Sequence, residues 1–179
     1  MVKKLLILGI IIAALVVVYF TLYFIDVSGQ ILKVDWQKVV VSTIEEYGFT
    51  EEKLVRSGID SKQAKDIVNH PNHYRHVNFV FRLNNHSAWA AVGDIQIEAH
   101  LPDEAKERLV WMEGNLFMSY VDADDNRPDG ITAIFKVEEG DTEADLIEIC
   151  KQIQFTLTGK KVGFFDHGSI SVPIQYGGK

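Results

Sequence analysis

Polar and apolar positions alternate in three different rhythms along this chain. Leu5 to Ile25 is an almost unbroken apolar run, interrupted only by Gly9 and Thr21. Coiled as a helix at about 1.5 Å per residue, it is roughly 30 Å long, the thickness of a bilayer's hydrocarbon core. A helical rhythm follows over 35–70. Trp36, Val40, Ile44 and Tyr47 recur at helical spacing, with Val39 on the same face. Asp35 is the expected N-cap and Gly48 the expected left-handed end. Thr50 opens a second short helix that Gly58 closes. Asp60 with Gln63 opens a third, which Pro71 stops. The β-branched Val39-Val40-Val41 leaves a strand open as an alternative for part of this stretch.

From about residue 76 the period becomes two. Val77, Phe79, Phe81 and Leu83 share one face. Ile95, Ile97, Ala99 and Leu101 alternate with polar residues, as do Ile153, Phe155 and Leu157, and Ile170, Val172, Ile174 and Tyr176. Leu116–Val121, Ile131–Val137 and Val162–Phe165 complete about seven short strands, with Gly159-Lys160 as a turn. Asp103–Met112 reads as a helix or as a helix giving way to a strand. Thr142–Lys151 reads as a helix or as loop and strand. Pro173 cannot donate a ladder hydrogen bond, which places the last strand at an edge. The expected organisation is a transmembrane signal-anchor over 1–25, a helical neck over 26–75, and an antiparallel β-sandwich of immunoglobulin-like size over 76–179.

The basic start, Lys3-Lys4, and Asp26 beyond the apolar run set an orientation. Positive residues stay on the cytoplasmic side, so the long C-terminal part is expected outside the membrane. Val27-Ser28-Gly29 offers a site for signal-peptide cleavage, and secretion is the alternative. The apolar run exceeds the 7–15 residues of a secretory core, which favours the anchor. Composition adds a constraint. The chain carries a formal charge of −7, and all 25 acidic residues lie beyond residue 25. That balance argues against nucleic acid as a partner. The single cysteine, Cys150, forms no intrachain disulfide and reads as a buried apolar residue. An extracytoplasmic domain without disulfides points to a bacterial envelope.

The strand layout over 76–176, with Phe117-Met118-Ser119-Tyr120-Val121-Asp122 running into an acidic turn, resembles the small immunoglobulin-like domains of membrane-tethered Gram-positive bacterial proteins. The cysteine pair of antibody domains is absent. The resemblance implies an interaction or structural module and transfers no residue-level site.

Four polar groupings merit chemical weighing. His70, His73 and His76 recur every third residue. Neutral imidazole is a good ligand for Zn, Cu or Ni, which makes these three the candidate metal ligands of a binding module or metal-dependent hydrolase. Pro71 interrupts the helix that would align them, and a polar junction is the competing reading. Asp122, Asp124 and Asn126 start like a calcium loop. Arg127 then stands where a glycine is needed, and Ala133 where a bidentate Glu belongs. Asp166-His167-Gly168-Ser169 holds triad residue types as near neighbours, which reads as a turn. Asn85-His86-Ser87 fits the glycosylation pattern of a eukaryotic secretory route. No HExxH, P-loop or dinucleotide-binding glycine motif occurs. No cofactor is expected. A protein partner is, with Trp89, in a loop, as its candidate contact. The reading is a membrane-held module, not an enzyme.

Overall fold

The computed structural model describes residues 2–27, 31–87, 90–113, 120–162 and 168–177, with the side chains of 6–19 in the first stretch. Helix α1 spans Val2–Val27. Among the described residues, no helix is long and apolar enough to cross a membrane. In α1 that description reaches the side chains of 6–19 only, fewer than the roughly 20 residues a span requires.

Two four-stranded antiparallel sheets face each other, with strand orders β1-β2-β6-β4 and β5-β3-β7-β8. The first sheet comprises β1 (Leu32–Thr43), β2 (Tyr74–Asn85), β6 (Asn126–Lys136) and β4 (Leu109–Met112). The second comprises β5 (Tyr120–Val121), β3 (Ala91–His100), β7 (Gln154–Val162) and β8 (Ser169–Ile174). The core is the alternate set of inward residues expected of a sandwich, including Phe79, Phe81, Ile131, Phe135, Phe155 and Leu157.

The largest departure from the sequence reading is β1. Residues 35–43 form a strand paired with β2 along its whole length, not a helix, so the segment assigned to a neck supplies an edge of the sandwich. The reason is a bulge. Trp36 lies opposite Phe81 and Lys38 opposite Val80, leaving Gln37 as an extra residue that reverses the strand's alternation. Val34 and Trp36 face the core before it, and Val39 and Val41 after it. The resulting spacing of three between Trp36 and Val39 imitates a helix. Trp36 sits edge-on to Phe79, Phe81, Phe155 and Tyr176, with ring centroids 5.8, 5.7, 5.3 and 5.3 Å away. It therefore ties both sheets together.

The remaining neck residues form three short helices, α2 (Ile44–Tyr47), α3 (Glu51–Arg56) and α4 (Ser61–Asn69). Thr43 caps α2 reciprocally with Glu46, and Gly48 ends it at φ 66°. Asp60 accepts from the N–H groups of Lys62 and Gln63 at the start of α4. These helices lie on the outer face of the first sheet. There Ile44, Leu54, Ile59, Ala64 and Ile67 bury Tyr74 and Ile134 in a second, smaller core.

Asp103–Met112 resolves into helix α5 (Asp103–Arg108) and strand β4. Helix α6 (Glu143–Lys151) carries a full capping box from Thr142 and Asp145 and sends Leu146, Ile149 and Cys150 into the core. Gly159-Lys160 is not a turn but the interior of β7. A Cβ at Gly159 would stand 2.9 Å from Val92 Cγ1 and 3.1 Å from the Gly93 carbonyl oxygen, so glycine here permits a close strand contact. Most of the expected strands 116–121 and 162–165 lie outside the described residues, which contain only Tyr120, Val121 and Val162 of them. Pro173 does fall on an edge strand, β8.

Candidate functional site

The helical cover and the start of β2 carry a compact polar arrangement beside a groove. Asp66 is its hub. Tyr74 donates its hydroxyl proton to one carboxylate oxygen, and His70 Nδ1 lies 2.9 Å from the other. These two hydrogen bonds, Tyr74's first, hold the Asp66 carboxyl below its usual range. Burial, with the Asp66 contact, pushes the Tyr74 phenol up to about 12. The imidazoles of His70 and His73 stack with centroids 5.6 Å apart and planes 11° from parallel. Beside them runs a groove of about 610 Å³ lined by Asp60, Lys62, Lys65, Asp66, Asn69 and Tyr74. Its walls carry both charge signs.

His76 does not join the other two histidines. It points from β2 into the apolar underside of the cover, where Tyr47 stacks on it at 3.8 Å and Phe49 stands at 5.4 Å. Only 1% of it is exposed, and burial pushes its pKa down to about 4. The spacing of three fails as a ligand set because Pro71–His73 is a 3₁₀ turn and Tyr74 begins a strand, so His70 and His73 belong to a surface and His76 to an interior. Among the described residues, no three His, Cys, Asp or Glu side chains come together to hold a metal. His100 is bonded instead to Thr156 across β3 and β7, at 3.0 Å.

The acidic stretch 122–130 links the two sheets, since β5 and β6 belong to different ones. Some of its oxygens hold that crossing, while the buried Asp129 Oδ2 has no hydrogen-bond partner among the described residues. The Asp122 carbonyl accepts from Asn85 Nδ2 at 2.8 Å, and Asp125 pairs with Arg127 at 3.0 Å. Asn85 is completely buried and also donates to the Ala90 carbonyl at 2.9 Å, while its Oδ1 accepts from the Ser87 N–H at 3.0 Å. The glycosylation pattern thus marks a structural clamp, inaccessible in the folded chain. Its signal in the sequence was the Asn-Asn-His-Ser turn cluster, which does not reveal which residue turns inward. Trp89 lies outside the described residues, as do Asp166 and His167.

A second groove, of about 550 Å³, opens where the edge strands β1 and β8 meet, lined by Lys33, Asp35, Trp36, Gln37 and Tyr176 among others. Sequence reasoning missed it because it depends on β1 being a strand. The long edge here is interrupted by the bulge at Gln37 and carries exposed Lys33 and Lys38. Both features discourage pairing with another strand.

No family model matches the chain, and no curated protein matches it. Among solved structures it is similar to the crystal structure of the yeast GGA1 GAE domain, at 13% identity and a TM-score of 0.30, over 57% of this chain and 89% of that one.

Proposed function

We propose that this chain is a single-pass, membrane-anchored protein of a bacterial envelope. Its extracytoplasmic β-sandwich, immunoglobulin-like in size, serves as a protein-interaction or structural module without catalysis. The observation that carries the reading is α1. From Leu6 to Tyr19 every side chain is exposed, on all faces of the helix, and ten of them are Leu, Ile or Val between 46% and 65% exposed. A helix apolar all round needs a surrounding medium that is equally apolar. Taken over Val2–Val27, α1 has the length of a span, and lipid is that medium. Lys3 and Lys4 before it and Asp26 at its end favour a cytoplasmic N-terminus.

Fractionation tests the anchor. The full chain should stay with membranes through alkaline carbonate extraction, and a variant lacking 2–27 should move entirely to the soluble fraction. Recovery of the full chain in the carbonate supernatant would contradict the reading.

A further inference from the structure

We propose that the helical cover over 44–73 is an acid-released lid on the first sheet, with His76 as its sensor. The inference is independent of the membrane reading. The cover packs through its own apolar cluster, separate from the main core, and touches the sheet through outward residues such as Tyr74 and Ile134. A unit with its own small core opens at lower free energy than the whole domain.

His76 lies in the floor of that contact. In register it stands between Ser42 of β1 and Ile134 of β6, and Tyr47 and Phe49 roof it. Its Nε2 is buried with no hydrogen-bond partner. A proton there would place a charge among two aromatic rings and an isoleucine, with nothing to receive the new N–H. Among the described residues, no anion is paired or hydrogen-bonded to His76. From α2 the titratable groups are Glu45, Glu46 and the Tyr47 phenol. Glu45 is exposed, and the Glu46 carboxylate is bonded to the Thr43 N–H at 2.9 Å. From β2 itself, Arg75 turns its guanidinium to the carbonyls of Asn72 and Tyr74, at 3.1 and 2.8 Å. Desolvation is accordingly the cause of the low His76 pKa. The Asp66 carboxylate is occupied by Tyr74 and His70.

The sign follows from linkage. The closed lid holds His76 neutral down to about pH 4, whereas an opened lid exposes an imidazole with its ordinary value of 6.5. The open form binds more protons between those values. Closure is therefore fully favoured above about pH 6.5 and weakens as pH falls. The opening equilibrium rises roughly five- to eightfold per pH unit between pH 6 and 4, about 120-fold in all between pH 7 and 4. Opening bares Ile44, Leu54 and Ile67 together with the outer face of β2 and β6.

The test is hydrogen exchange by mass spectrometry on the full chain in detergent micelles, from pH 7 to 4, read as protection factors. Amides of α3 and α4 should be less protected than those of β7 and should lose roughly five- to eightfold protection per unit below pH 6. His76→Leu and His76→Phe should both flatten that slope; using two shapes separates loss of the proton site from a packing defect. Equal protection of α4 and β7 at every pH would overturn the proposal. So would a slope that survives both substitutions.

Discussion

Trp36→Ala is the perturbation that bears hardest on the fold. The ring is 6% exposed and edge-on to four aromatic rings drawn from both sheets and the C-terminal segment. Burying roughly 200 Å² of indole at about 25 cal/mol/Å² is worth about 5 kcal/mol. Removing a buried Trp from a core costs about 3–5 kcal/mol once partial collapse of the cavity is included. A loss near 4 kcal/mol is a large share of the roughly 5–15 kcal/mol that holds a domain together. Trp36→Phe, which keeps part of the edge contacts, should lose about half as much. The assay is urea unfolding of the full chain in micelles, followed by strand circular dichroism, with midpoints compared at constant slope. A loss below about 1 kcal/mol for Trp36→Ala would refute the argument. The segment would then be the exposed neck that its spacing first suggested.

Asn85→Ala removes the donor to the Ala90 and Asp122 carbonyls and the acceptor for the Ser87 N–H, and should cost about 2 kcal/mol by the same unfolding assay. Cys150, wholly buried and with its thiol pushed up to about 12 by desolvation, should resist Ellman's reagent in the folded chain and react only after unfolding. Tyr74→Phe removes the leading cause of Asp66's low pKa, so the carboxyl should titrate closer to the ordinary carboxylate value in an NMR titration. The sign is that of a depressed acid. Its contribution to stability is present above the ordinary value of 3.8 and is lost as pH falls through the lowered one, and the Tyr74→Phe variant should lose part of that dependence.

The strands with an uninterrupted period of two were legible from the sequence. Val77–Leu83, Ile95–Ala99 and Ile170–Ile174 show their buried faces directly, and caps such as Thr50, Asp60 and Thr142 mark real helix starts. What misled was local departure from the period. The bulge at Gln37 gave β1 a helical spacing, and Gly159 imitated a turn where two strands merely approach closely. The candidate site was less legible. Three histidines at equal intervals looked equivalent, yet the change from 3₁₀ turn to strand at Tyr74 sends the third one inward. The Tyr74–Asp66 contact spans eight residues across that same change of backbone, so spacing did not expose it.

The measurement that bears most directly on the proposed function is external protease treatment of intact cells expressing the full chain with a C-terminal tag, assaying membrane and medium together. The account predicts a tag that is membrane-bound and removed by the protease. A membrane-bound tag that stays protected would place the sandwich on the cytoplasmic side. A tag found free in the medium would mean that the chain is secreted, and either result would contradict the account.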